Sequence, residues 1–216
     1  FMHTLPIDIH THQLPALPGE AIICCLPDTF HPQENSWYSV GIHPWQLDNY
    51  AWKEAAFKVH FESLIHHPQV IAIGEAGLDK LASTSLLQQI EALRYQALVA
   101  ETIAKPLILH LVKATTELLA LKKALSPRVP WIIHGFRGKL QLALELVRHG
   151  LYLSFGANYQ EEAMKQIPTN RLLLETDESN VPIADLYKKA ALLRNITDKE
   201  LMETVSTNIQ RIFFEH

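Results

Sequence analysis

Short apolar runs alternate with longer amphipathic stretches along this chain, and this alternation limits the folds open to it. The runs resemble buried strands and lie at residues 5–9, 21–25, 37–41, 70–74, 106–109, 130–133, 151–155 and 172–175. Helical spacing of apolar residues marks 86–104, 113–125, 139–150 and 196–214. Eight strand candidates separated mostly by helices predict an α/β protein with a TIM-like (β/α)8 barrel. Residues 13–20 are too few and too rich in proline for a helix, so we expect a shortened, irregular first βα unit.

Composition limits the binding partners and the cellular compartment expected for this chain. Its 216 residues predict a single barrel domain over residues 1–216. A net charge of −4 with no basic stripe argues against salt-driven binding of long duplex DNA. No apolar run approaches the roughly 18 residues of a membrane span, so no membrane partner is expected. The only cysteines, adjacent Cys24 and Cys25, lack disulfide or zinc spacing and predict buried thiols in a reducing cytoplasm.

Histidines and carboxylates follow six of the eight strand candidates. They are His10 and His12 after the first strand, His43 after the third, Glu75 after the fourth, His110 after the fifth, His134 after the sixth and Asp177 after the eighth. The carboxyl ends of parallel strands lie on one face of a barrel, so these side chains are expected to meet at a common mouth. One histidine after a strand is more often structural. Six strands with the same feature predict a shared metal site.

The first strand carries three of these polar residues at alternating positions. Asp8, His10 and His12 point the same way because side chains alternate along a strand, and both imidazoles can reach one metal ion. Asp8 is expected to lie deeper and to hold one histidine in position. Its alternative role is that of a salt-bridged aspartate in the core.

The candidate ligands are imidazoles and carboxylates, with no thiolate. This set suits zinc, manganese, magnesium or iron, and the sequence leaves the choice open. Glu75 is expected to bridge two ions, because in a barrel its strand lies opposite the strands of His10 and Asp177. No lysine ends the fourth strand, which argues against a bridge made by a carbamylated lysine. A carboxylate in this position can serve a pair of divalent ions.

Six motifs, in this order, resemble those of the TatD-type metal-dependent hydrolases, the TatD-related deoxyribonucleases. They are DIHTH, GIHP, IGEAGLD, LILH, IIHGFRG and LLLETD, and the chain closes with NIQRIF. The resemblance implies a TIM-like barrel with a dinuclear divalent site that hydrolyses phosphodiester bonds. It assigns one ion to His10, His12 and Asp177, the other to His110 and His134, the bridge to Glu75, and the neighbourhood of the substrate phosphate to His43.

The sequence departs from the family pattern where substrate is recognised. Val112, followed by Lys113, stands where the family usually has an arginine after the strand-5 histidine. Glu178 and Ser179 follow Asp177, where a small residue and proline are usual. An Asn-Glu-Pro stretch expected downstream is missing. The candidate metal ligands are intact.

Three functions fit this pattern. The first is a two-metal phosphodiesterase for short or single-stranded nucleic acid or a small phosphodiester, with Asp177 as general base. The second is a metal-dependent amide or ester hydrolase on the same barrel. The third is a metal-binding barrel without nuclease activity. Six nearby side chains have two possible roles each. The cations either neutralise a phosphate or are ordinary surface residues, and they are Lys113, Arg137 and Lys139. The aromatic rings either stack on an unpaired base or pack around the mouth, and they are Trp45, Phe136 and Tyr159.

Overall fold

A computed structural model describes residues 5–215 of the chain, and eight strands in it form one sheet. The strands are β1 (Asp8–Thr11), β2 (Ala21–Cys25), β3 (Trp37–Val40), β4 (Val70–Asp79), β5 (Leu107–Val112), β6 (Trp131–Ile133), β7 (Tyr152–Phe155) and β8 (Leu172–Leu174). They are hydrogen-bonded in chain order, and a parallel bridge between Thr11 and Asp177 links the first strand to the segment after the last. This is the topology of a TIM-like (β/α)8 barrel, and the predicted fold class is confirmed.

Helices occupy most of the connections between strands. They are α1 (Ala55–Ile65), α2 (Leu86–Thr102), α3 (Thr115–Leu125), α4 (Leu140–Arg148), α5 (Glu161–Gln166), α6 (Ile183–Leu193) and α7 (Asp198–Phe213), with 3-10 turns at Pro44–Asn49 and Thr169–Arg171. Residues 12–20 contain no helix, which confirms the irregular first connection. No helix among the described residues is both long and apolar enough to cross a bilayer.

Three polar residues expected beyond strand ends lie inside strands. Glu75 sits in the middle of β4, His110 within β5 and His10 within β1, which begins at Asp8 rather than at Leu5. The predicted ends were wrong because they followed the apolar composition. Backbone pairing of β4 with β5 continues through the polar stretch as far as Asp79, and every residue of β4 is buried.

The chain divides into two compact units, each with its own buried side chains. The terminal unit comprises residues 5–23, 33–37 and 132–215 and buries Phe155 and Tyr187. The central unit comprises residues 24–32 and 38–131 and buries Phe61 and Leu93. A single domain over residues 1–216 stays a prediction, and residues 1–4 and 216 lie outside the described part.

Gly77 allows β4 and β5 to approach closely beside His110. Its φ is +142°, and a Cβ built there would lie 2.0 Å from the backbone oxygen of His110. The two residues are register partners in the parallel pair. Only a residue without a side chain fits, so this glycine is required by the contact itself.

Replacing Gly77 with alanine should therefore lower the free energy of unfolding by at least about 1–3 kcal/mol, the usual cost of overpacking. Thermal unfolding followed by circular dichroism measures the change. Gly156→Ala is the matched control, because a Cβ there would meet nothing closer than 3.9 Å. Equal Tm values for the two variants would contradict the assigned clash.

Candidate metal centres

The terminal unit brings together three of the predicted ligands, one within β1 and one after each of β6 and β8. His10, His134 and Asp177 each offer a ligand atom, and the three atoms lie within 4.8 Å of one another. His10 Nε2 is 3.6 Å from Asp177 Oδ1, and His12 Nε2 is 3.5 Å from the same oxygen. The rings of His10 and His134 have their centroids 4.2 Å apart. This group has the donors and the spacing of a divalent-metal site.

Asp177 is held in place by backbone bonds to β1. Its N–H donates to the His10 oxygen at 2.8 Å, and its own oxygen accepts from the His12 N–H at 3.2 Å and the Thr11 hydroxyl at 3.3 Å. Its φ of +55° is uncommon for a residue with a side chain. The bonds to β1 stabilise this backbone conformation and fix where the carboxylate can point.

Asp8 joins two of the segments that carry this group, β1 and the residues after β8. Its carboxylate accepts from the backbone N–H of His10 at 3.2 Å, from the N–H of Thr176 at 3.0 Å and from the Thr176 hydroxyl at 2.6 Å. Burial raises the pKa of Asp8 to about 7 even though these three donors favour the charged form. Asp8 thus holds the backbone next to His10 and Asp177, and a contact to a histidine side chain stays a prediction.

Glu175 orients His134, and the sequence reasoning missed it. This fully buried carboxylate places Oε1 3.1 Å from His134 Nδ1. Its Oε2 is buried and has no hydrogen-bond partner among residues 5–215. A histidine that donates through Nδ1 keeps Nε2 as an acceptor, the form that binds metal. The available signal was a carboxylate at the end of an apolar run, two positions before Asp177.

The central unit brings together a second group of three predicted ligands, His43, Glu75 and His110, whose ligand atoms also lie within 4.8 Å of one another. Glu75 Oε1 is 3.1 Å from His43 Nε2 and 3.0 Å from His110 Nδ1. The two imidazole rings have their centroids 4.6 Å apart. Glu75 is 5% exposed, so its charge needs partners of this kind.

A second carboxylate on β4, Asp79, fixes the other side of His110. Asp79 Oδ2 is 2.9 Å from His110 Nε2 and accepts from Trp45 Nε1 at 2.7 Å, while Oδ1 accepts from the Leu81 N–H at 2.7 Å. Burial opposes the charged form, but the hydrogen bonds from His110, Leu81 and Trp45 outweigh it and lower the pKa of Asp79. Sequence reasoning missed this residue. Its signal was the spacing of four from Glu75, which places both side chains on one face of a strand.

Two buried glutamines of α2 hold the backbone near this group. Gln89 accepts from the Asp79 N–H at 2.7 Å and donates to the Asp79 oxygen at 2.9 Å. Gln96 accepts from the Ile42 N–H at 2.8 Å and donates to its oxygen at 3.2 Å, one residue before His43. Each amide satisfies a donor and an acceptor that regular strand pairing leaves open. Both glutamines lie on the buried face of an amphipathic helix and escaped the sequence reasoning.

A cavity of about 270 Å³ in the terminal unit opens beside Asp177. Arg137, one of the cations predicted to meet phosphate, lines it together with Glu175 and Ser179. Lys113 and Lys139 are exposed. The cavity therefore places one cationic side chain and one candidate metal ligand along the same walls.

The three aromatic residues predicted near the site differ in exposure. Phe136 is buried and Tyr159 is half-buried, whereas Trp45 is 59% exposed. Trp45 Nε1 donates a hydrogen bond to Asp79, so its ring is fixed beside the group of His43, Glu75 and His110. Of these three candidates for stacking on a base, Trp45 has the most exposed ring.

The donor sets of both groups fit divalent ions. Each contains two imidazoles and one carboxylate. An outer carboxylate also contacts one histidine of each group, Glu175 at His134 and Asp79 at His110. Histidine held by an outer carboxylate is a recurring arrangement around bound metal. The structure groups His134 with His10 and Asp177, and His110 with Glu75 and His43. The assignment implied by the resemblance, with His110 and His134 at one ion and His43 near the phosphate, stays a prediction.

The sequence matches the family described as TatD related DNase over residues 28–214. An uncharacterized metal-dependent hydrolase of Bacillus subtilis, YabD, is 30% identical over 197 residues, which cover 81% of this chain and 76% of that protein. The 3'-5' ssDNA/RNA exonuclease TatD of Klebsiella pneumoniae is 32% identical over 169 residues, covering 74% of this chain and 63% of that protein. The match thus spans just under two thirds of the exonuclease.

A solved structure shares the fold. The crystal structure of YJJV, a TatD homolog from Escherichia coli, superposes with a TM-score of 0.81 and covers 95% of this chain and 97% of its own. The two sequences are 20% identical. The likeness supports the (β/α)8 topology over nearly all of the chain.

Removing the charge of Asp79 should weaken metal binding through His110. In Asp79→Asn we expect affinity for Zn²⁺ or Mn²⁺ to fall about 10- to 100-fold, the usual effect of losing an outer carboxylate. Competition with a chromophoric chelator measures the affinity. Asp185→Asn is the control, because Asp185 is an exposed residue of α6 whose carboxylate lies 3.4 Å from exposed Lys188. Equal affinities in the two variants would show that Asp79 does not position a ligand.

Proposed function

Because this chain belongs to the TatD-related DNase family of metal-dependent hydrolases, we propose that it hydrolyses phosphodiester bonds in short or single-stranded nucleic acid. One observation carries the proposal: each compact unit contains a group of two histidines and one carboxylate at metal-ligand spacing. The exonuclease name of the Klebsiella relative supports the substrate class. The net charge of −4 favours a short or unpaired strand over long duplex.

The proposal includes two divalent ions. His10, His134 and Asp177 would hold one, and Glu75 and His110 would hold the other, with His43 beside them. A bound divalent ion supplies positive charge for the phosphoryl oxygens and lowers the pKa of a water toward neutrality. The additional ligand His12 and the bridging role of Glu75 stay predictions from the sequence, as does the identity of the ions.

Asp177 is proposed as the general base. Its carboxylate is partly exposed and lines the cavity, so an attacking water can reach Oδ1. The backbone bonds to β1 hold the carboxylate still, which favours proton transfer at a fixed atom. His43 is proposed to face the substrate phosphate, with its ring oriented by the backbone N–H of Trp45, which donates to Nδ1 at 3.0 Å.

Arg137 is the proposed cation for the substrate phosphate. It lines the cavity that also contains Asp177. Val112 occupies the position where the family usually has an arginine, and its apolar side chain cannot neutralise a phosphate. The positive charge for an incoming phosphate is therefore assigned to the segment after β6.

A cytoplasmic location is part of the proposal. Cys24 and Cys25 are both free thiols, which suits a reducing compartment. Burial raises the pKa of Cys25 to about 11, so this thiol stays protonated and unreactive at neutral pH.

The test compares Glu75→Ala with the native chain on three substrate classes. A short single-stranded oligonucleotide and bis-(p-nitrophenyl) phosphate are assayed with Mg²⁺, Mn²⁺ or Zn²⁺, beside amide and ester panels. We expect phosphodiester turnover, and a loss of more than about 100-fold in kcat/KM in the variant, because a direct ligand should matter more than an outer one. Elemental analysis should give about two ions per native chain and fewer in Glu75→Ala.

Glu203→Ala is the control for this test, since Glu203 is an exposed residue of α7. Turnover of amides or esters alone would replace the proposal with the second hydrolase function. Bound metal without turnover on any panel would make the chain a metal-binding barrel.

A further inference from the structure

Trp45 presents an open aromatic face beside the central metal group. It lies on the 3-10 turn Pro44–Asn49, two residues after His43, and is 59% exposed. The other large apolar side chains exposed in the described residues are leucines and valines. Trp37, Trp52 and Trp131 are buried. Of the four tryptophans, Trp45 is therefore the one that a ligand in solution can cover.

The polar edge of this ring is anchored while its face stays open. Trp45 Nε1 donates to Asp79 Oδ2 at 2.7 Å, and the same oxygen is 2.9 Å from His110 Nε2. The indole also meets the ring of His43 at 5.0 Å and that of His110 at 5.5 Å between centroids. An exposed tryptophan is normally free to change rotamer. Here the hydrogen bond and the two ring contacts hold it in one orientation.

A fixed, exposed indole is suited to bind a flat partner by stacking. Stacking requires little further ordering when the ring is already positioned, so less entropy is lost on binding. Nucleobases stack on aromatic side chains without regard to sequence, because every base has a π-face. Bases inside a duplex are already stacked on their neighbours, so an unpaired base is favoured.

The other predicted aromatic residues are engaged in packing. Phe136 contacts Phe155 at 5.5 Å between ring centroids and is 4% exposed. Tyr159 also contacts Phe155, at 5.6 Å, and Lys189 Nζ lies 4.9 Å from its ring centroid. Phe136 is too buried for a base to reach, and Lys189 lies over the ring of Tyr159 where a base would stack. Trp45 is the candidate that remains.

We infer that Trp45 stacks an unpaired nucleobase next to the phosphodiester bond and so selects single-stranded nucleic acid. This rests on the proposed function, because it names how that site recognises its substrate. Trp45 acts on the substrate through its ring face, and it positions His110 through the N–H that bonds Asp79. These two contributions can be separated by substitution.

The experiment compares Trp45→Phe with Trp45→Leu. Both variants lose the N–H donor to Asp79, but only the phenylalanine keeps an aromatic face. On a short oligothymidylate we expect KM to be higher in Trp45→Leu than in Trp45→Phe by about 5- to 150-fold, the range measured for single base–aromatic stacks. On a matched oligonucleotide of abasic residues, the two variants should have equal KM.

Tryptophan fluorescence gives a second readout that does not need turnover. A phosphorothioate oligothymidylate should quench the native protein, and the quenching should disappear in Trp45→Phe because the other tryptophans are buried. Thermal unfolding of both variants checks that each one folds.

Equal KM values for the two variants on oligothymidylate would overturn the inference. So would the same difference between them on the abasic strand, since the effect would then not depend on a base. Failure of the proposed function looks different. In that case the native chain cleaves no phosphodiester, yet quenching by oligothymidylate and its loss in Trp45→Phe still report stacking.

Discussion

The carboxylate of Asp8 ties together the parts of the terminal unit that carry its candidate metal group. It accepts one N–H from β1 and two donors from Thr176, so the end of β8 is fixed against the first strand. Asp177 then completes the link through its backbone bonds to His10 and His12. Burying this carboxylate is costly, and three hydrogen bonds offset part of the cost. These bonds add to those of the Asp177 backbone itself, which stabilise its left-handed conformation beside His10.

The central unit reaches its geometry through a different constraint, the close contact of two strands at Gly77. Because the backbone of β5 comes within van der Waals range there, His110 lies between two carboxylates of β4. Glu75 meets one ring nitrogen and Asp79 the other, so the imidazole cannot rotate without breaking a bond. The amides of Gln89 and Gln96 then satisfy the backbone groups beside this pair. Trp45 joins the same network through its N–H, which connects an exposed ring to a buried histidine.

Both groups show a histidine supported by a carboxylate, and in both the supporting residue was hard to find from the sequence. Glu175 shares the motif LLLETD with Asp177, and Asp79 shares IGEAGLD with Glu75. A carboxylate at a strand end reads equally well as a ligand, a surface charge or a support. The choice depends on which side chain of another strand lies opposite, and strand register sets that. Register depends on backbone pairing across residues far apart in the chain.

The sequence by itself determined the strand and helix order, the barrel topology and the residue types available for metal, because these follow from local periodicity and from motifs of a few residues. Only the tertiary structure decided that β4 runs past Glu75 to Asp79, since continued pairing with β5, and not apolar composition, keeps that segment extended. It also decided that Trp45 is exposed while Phe136 is buried, because exposure depends on what packs over a ring. Local patterns specify which groups can interact, and long-range packing selects the pairs that do.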